Sequence, residues 1–199
     1  MSHRLSVYCG SNVGSSPVYA ETAARLGASL AAREIGLVYG GGNVGLMGVL
    51  ADAVLAGGGS VTGVIPEHLV RAEVAHRGLT ELIVVSSMHD RKACMSDLAD
   101  GFVVLPGGFG TLDETFEALT WGQLGLQSKP VVLLDVEGFF DPLLAMMDRA
   151  VDAGFLRPAH RMLAQRARTV DEALALALGP APSTPHKWLD RDGPRLDAR

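Results

Sequence analysis

GFVVLPGGFGTLDE, residues 101–114, passes from an apolar run through a glycine turn into a helical pattern. Phe102 to Leu105 is unbroken apolar sequence, the composition of a strand covered on both faces. Gly107, Gly108 and Gly110 then crowd a turn that a single glycine would make. Thr111 and Glu114 stand at the T-x-x-E spacing of a capping box, which predicts a helix from here to about Leu126. Asp113 would add favourable negative charge to that helix's first turn. Strand, glycine turn and helix make half of a parallel βαβ unit, so the fold depends on whether the pattern repeats.

It repeats in both directions. Upstream, strands are predicted at 4–10, 36–42, 60–66 and 79–85, and helices at 16–34, 44–59 and 88–100. Residues 67–78 read as irregular. Downstream, KPVVLLD (129–135) is a sixth strand, with helices over 138–154 and about 170–178. Strand and helix in alternation predict an α/β fold: a doubly wound, Rossmann-like, mostly parallel sheet flanked by helices. Such sheets bind ligands beyond the carboxyl ends of their strands. The reading is a single domain over 1–179, followed by a proline- and charge-rich tail over 180–199, flexible or docked loosely through Trp188.

The composition narrows the function. The 199 residues are 48% apolar and 20% charged, with a net charge of −5. No basic run marks a nucleic-acid groove, so nucleic acid is not an expected partner, whereas a small phosphate ligand needs only local donors. Cys9 and Cys94 form neither a CxxC pair nor a metal-like spacing with the six histidines, and no metal is expected. Cys9 reads as a small hydrophobe at a strand end. No stretch has the length of a membrane span or a signal peptide, so the expected compartment is the cytoplasm.

Glycine turns end the first, second and fifth strands: CGSNVG (9–14), YGGGNVGLMG (39–48) and PGGFGT (106–111). Each can aim backbone N–H groups at a phosphate. Gly40, Gly42 and Gly45 match GxGxxG, and Glu67 lies far enough downstream to hold a ribose, which keeps an NAD-dependent oxidoreductase open. Several strand ends serving one ligand favour a mononucleotide instead. In MHDRKACMSDL, Arg91 shares a helical face with Met88, Met95 and Leu98, so it requires a carboxylate or phosphate partner. Lys92 reads either as a ligand contact or as a solvated neighbour, and His89 as a hydrogen bonder at the helix start. Glu114 faces the same strand-end cleft; opposite Arg91 it is expected to stay ionised at neutral pH. An ionised carboxylate beside a ribose orients water and stabilises an oxocarbenium-like state.

MHDRK (88–92) and PGGFGTLDE (106–114) resemble the MHxRK and PGGxGTxxE signatures of the LOG family, earlier labelled lysine decarboxylase-like. CGS and YGGGNVGLMG look like that family's other glycine turns, and the resemblance spans about residues 4–178. It implies a Rossmann-like homodimer that hydrolyses nucleoside 5′-monophosphates to free base and ribose 5-phosphate without a cofactor. By resemblance, Arg91 and Glu114 are the catalytic pair. Lys92, Thr120 and the turn of Gly107, Gly108, Phe109, Gly110, Thr111, Leu112 and Asp113 contact the nucleotide. Ser11, Gly41 and Gly42 belong to the other two turns, and Glu73 falls where the family has a binding carboxylate. CGSNVG departs from the pattern at Asn12, where many members carry a second serine. Met88, Phe109 and Trp121 are base-pocket candidates that read more readily as core. A pyridoxal decarboxylase needs a Schiff-base lysine, and Lys92, Lys129 and Lys187 all stand in unsuitable contexts. A nucleotide-binding carrier without turnover is the alternative function, and the sequence does not choose between adenine and N6-modified adenine.

Overall fold

The structure is a computed structural model that describes residues 3–71 and 75–184. In chain order the elements begin β1 (Arg4–Tyr8), α1 (Pro17–Ala32), β2 (Gly36–Tyr39), α2 (Gly45–Ala56) and β3 (Val61–Pro66). They continue with α3 (Glu67–Arg71), β4 (Glu81–Val85), α4 (Met88–Leu98), β5 (Gly101–Val104) and α5 (Phe109–Leu124). The last are β6 (Val131–Leu134), α6 (Asp141–Asp152), α7 (Pro158–Arg161), β7 (Ala164–Ala167) and α8 (Val170–Ala177). The seven strands form one parallel sheet in the order β4-β3-β2-β1-β5-β6-β7.

Side chains alternate along each strand, so the sheet feeds two cores. On one face Leu5, Val7, Leu37, Val103 and Leu134 pack with Leu26 and Leu30 of α1, Leu50 and Val54 of α2, and Leu174 of α8. On the other, Tyr8, Val38, Phe102, Val104 and Leu133 pack with Met95 of α4, Ala118 of α5 and Leu144 of α6. Helices on both faces make the sheet doubly wound, as the alternation predicts. Cys9 is buried in the first of these cores. No helix among the described residues is long and apolar enough to cross a membrane.

The chain departs from the sequence reading in four places. The stretch read as irregular contains the short helix α3. Residues 158–167 supply α7 and an edge strand, β7, whose sequence AQRA has no apolar run to announce it. Helix α5 begins at Phe109 with Gly108 as its N-cap, and no side chain caps it. Thr111 and Glu114 therefore do not form a capping box. The Leu112 N–H already bonds the Gly108 carbonyl at 3.1 Å, so the glycine turn is itself the first helical turn. Asp113 consequently lies beyond the first turn. At the start of α4, where the sequence reads His89 as a hydrogen bonder, the N-cap is Ser87, whose hydroxyl accepts the Asp90 N–H at 3.1 Å. The tail from 185 onward, with Lys187 and Trp188, lies outside the described residues.

Candidate active site

The sheet order sets β2, β1 and β5 side by side, so their three glycine turns meet where the winding reverses. Backbone bonds stitch them together. The Leu46 N–H donates to the Gly10 carbonyl at 3.0 Å, and the Gly10 N–H to the Pro106 carbonyl at 3.1 Å. Gly45 has φ +63°, and a β-carbon there would stand 2.2 Å from the Ser11 carbonyl carbon. Only glycine allows the second turn to lie this close to the first.

Between the turns lies a cleft of about 370 Å³. Val44, Met47, Ile65, Leu69, Met88 and Phe109 give it an apolar wall. Ser11, Arg91, Thr111, Asp113 and Glu114 supply its polar groups. Arg91 and Glu114, from α4 and α5, are 9% and 7% exposed. The Arg91 Nη2 lies 3.6 Å from Glu114 Oε1. Nε donates to the Val64 carbonyl at 3.1 Å, and Nη2 to the Gly40 carbonyl at 3.4 Å. The guanidinium is thus held by the ends of β3 and β2 and spans the cleft floor toward α5.

Glu114 is not the fully ionised group expected from its charged neighbour. Burial pushes its carboxyl up to about 7, outweighing the downward pull of Arg91, and Asp113 and Glu117 push the same way. A carboxyl poised near neutrality exchanges protons readily at working pH. Nor is Lys92 solvated. It is 7% exposed, and its Nζ bonds Asp113 Oδ2 at 3.0 Å and Glu117 Oε2 at 3.1 Å. It joins α4 to α5 beside the Arg91–Glu114 pair, and its ammonium is held charged by those carboxylates despite burial.

The mouth of the cleft is the start of α5. The first N–H groups of a helix have no acceptor within it. Here they belong to Phe109, Gly110 and Thr111, which line the cleft with Gly108. A β-carbon on Gly108 or Gly110 would meet nothing within 4 Å, and neither residue has positive φ. Neither turn geometry nor packing therefore calls for glycine at these positions. What a side chain would obstruct is close approach of a ligand to these N–H groups.

The structure gathers Ser11, Gly42, Met88, Gly108, Phe109, Gly110, Thr111 and Asp113 around Arg91 and Glu114. Gly107 lines an adjoining pocket of about 220 Å³, shared with Ser11 and Gly108. Gly41 faces Ile65 and Leu82, and Leu112 and Lys92 lie outside the cleft lining. Thr120 is exposed and lines a separate groove with Gln123 and His160. Glu73 lies outside the described residues. Met88 and Phe109 are not core: they are 37% and 93% exposed at the cleft. Sequence reasoning missed Gly40, Val44, Met47, Ile65 and Leu69 as lining residues. Gly40 carried a signal as the first glycine of GxGxxG, but its contact with Arg91 joins positions distant in sequence. Among the described residues no cluster of His, Cys, Asp and Glu is placed to hold a metal ion.

Comparison with known proteins agrees with this picture. The structure of the molybdenum cofactor binding protein from Rippkaea orientalis superposes with a TM-score of 0.66 over 88% of this chain and 95% of that one; at 21% identity the likeness is one of fold. A family model described as possible lysine decarboxylase matches residues 47–177. The chain is 47% identical over 171 residues to the probable cytokinin riboside 5′-monophosphate phosphoribohydrolase LOGL1 of Oryza sativa subsp. japonica, covering 86% of this chain and 77% of that protein. It is 49% identical over 160 residues to the cytokinin riboside 5′-monophosphate phosphoribohydrolase LOG7 of Arabidopsis thaliana, covering 80% and 74%. With a cleft built from both signature stretches and this identity along most of its length, the chain belongs to the LOG family of phosphoribohydrolases.

Proposed function

We propose that the protein hydrolyses the N-glycosidic bond of purine and N6-modified purine nucleoside 5′-monophosphates, releasing free base and ribose 5-phosphate. The carrying observation is the buried Arg91–Glu114 pair at 3.6 Å, set between an open helix N-terminus and an apolar wall. The phosphate sits on the N–H groups of Phe109, Gly110 and Thr111, where the helix dipole favours an anion. The ribose lies over Arg91 and Glu114, with Asp113 beside its hydroxyls. The base packs against Met47, Ile65, Leu69 and Met88. As the bond from the anomeric carbon to the base nitrogen lengthens, ionised Glu114 stabilises the positive charge on the sugar. It then takes a proton from the attacking water, whose oxygen bonds the anomeric carbon, and passes that proton on to the departing base, which leaves neutral while the carboxylate is regenerated. Arg91 anchors the carboxylate and fixes its orientation.

The older decarboxylase description finds no support in the chemistry of the site. Lys92 is bound by Asp113 and Glu117, and the Lys129 ammonium donates to the Ser96 carbonyl. A Schiff base needs a free amine beside a cofactor pocket.

The reading extends to a homodimer. Phe116, at 44% exposure, lines the groove that holds Thr120 on the far side of α5 from the cleft, and Met162, at 63%, stands in the chain between its lining residues Arg161 and Leu163. Light scattering after size exclusion tests this directly. Incubation with AMP and N6-prenylated AMP, followed by chromatography of the products, tests the activity. Free base with ribose 5-phosphate is the expected outcome; tight binding without turnover would mark a carrier.

A further inference from the structure

The turn after β2 carries three carbonyls, and each has a partner. Gly40 receives Arg91 Nη2 at 3.4 Å, and Gly42 the Tyr39 hydroxyl at 3.1 Å. Gly41 receives the backbone N–H of His76 at 2.9 Å, beside an antiparallel bridge between Gly42 and Ala75. The His76 ring, only 8% exposed, is itself fixed on two sides. Nδ1 accepts the Gly78 N–H at 3.0 Å, and Nε2 lies 3.0 Å from Asp52 Oδ1. A backbone N–H can only donate, so Nδ1 is unprotonated. Nε2 therefore carries the hydrogen and donates it to the Asp52 carboxylate on α2.

We propose that His76 is a positioning residue for Arg91. It clamps the Gly41 peptide between α2 and the chain entering β4, and so fixes the Gly40 carbonyl that aims the guanidinium at Glu114. The route is short: the Asp52 carboxylate, the imidazole, the His76 backbone N–H, the Gly41 carbonyl, the Gly40 carbonyl, Arg91. None of these contacts is needed to close the sheet, whose β2–β3 and β3–β4 ladders are formed by other residues. The inference rests on Arg91 and Glu114 forming the catalytic pair.

The test compares His76→Ala, His76→Gln and His76→Asn in the intact chain, with AMP as substrate and free adenine as readout. A misaimed group costs rate more than binding, so His76→Ala should lower kcat roughly tenfold or more and change KM by less than about threefold. Glutamine places its amide N–H near the position of Nε2 and keeps the link to Asp52, so His76→Gln should recover most of the rate. Asparagine reaches only the Gly78 side and should behave like alanine. The exposed Asp52 allows a milder probe should His76→Ala fail to fold: Asp52→Ala lowers kcat and Asp52→Asn preserves it. In an Arg91→Lys background, which lacks the forked guanidinium, removing the imidazole should cost less than about twofold. Folded His76→Ala and Asp52→Ala enzymes with wild-type kcat, or losses fully additive with Arg91→Lys, would overturn the role. A wild-type protein that releases no base would instead remove the catalytic reading itself.

Discussion

The Arg91 guanidinium lies directly against Gly40: a β-carbon on Gly40 would stand 1.8 Å from Nη2. Gly40 does not have positive φ, so glycine serves here as space rather than as a backbone conformation. The clashing atom is the far end of a long side chain, which can swing away. Gly40→Ala should therefore fold, with Tm within a few degrees of wild type, yet lose roughly a hundredfold or more in kcat because Arg91 no longer faces Glu114. Thermal denaturation alongside steady-state kinetics checks both halves.

Gly110 makes the opposite case. Its missing side chain leaves open space at the second residue of α5, in a helical backbone that alanine prefers. Gly110→Ala should raise stability by about 0.4–1 kcal/mol. It should also weaken nucleotide binding, read as a KM increase of roughly tenfold or more, by holding the phosphate away from the N–H groups. A stabilised variant with unchanged KM would move the phosphate site elsewhere.

The Glu114 carboxyl sets a pH dependence in two observables. Its native value of about 7 lies above the ordinary 4.5. The folded state therefore holds the proton more tightly than the unfolded one between those values. The stability linked to this group is fully present below pH 4.5 and is lost as pH rises through about 7. Wild-type stability should thus fall from pH 5 to pH 8 by on the order of 2–3 kcal/mol more than that of Glu114→Gln, which cannot ionise. Denaturant titrations at the two pH values measure the difference.

Activity should run the other way. In the proposed mechanism the ionised carboxylate is the working form, so kcat/KM for AMP should climb with pH and level off above about 7. A profile flat from pH 5.5 to 8.5 would show that Glu114 does not titrate in the free enzyme.

The order of the first six strands and their helices was legible because each of those strands is a short apolar run and glycine turns close the first, second and fifth. What escaped was short or tertiary. AQRA becomes β7 only because β6 offers it an edge, and α3 and α7 are single turns that leave no periodicity to read. Arg91 could be flagged from a local pattern, since it stood on an apolar face that required a partner, and Glu114 could be set opposite it because the start of its helix points into the same strand-end cleft. Their protonation could not, because it depends on how thoroughly the cleft excludes water, and desolvation outweighs the arginine. The capping box failed for a related reason: T-x-x-E is a local motif, and the turn before it had already begun the helix at Phe109. Met47 looked like an ordinary apolar helix position and Leu69 stood in a stretch that reads as irregular, and only the sheet order brings them to one wall.

In the proposed mechanism the Glu114 carboxylate, anchored by Arg91, drives cleavage of the bond between base and sugar. The most direct test is the rate of adenine release from AMP by folded Glu114→Gln beside wild type, at saturating substrate and pH 8. Glutamine keeps the size and the hydrogen-bonding reach of the side chain but carries no charge, so the rate should fall roughly a thousandfold or more. Release within a few fold of the wild-type rate, from a variant with unchanged fold, would contradict it.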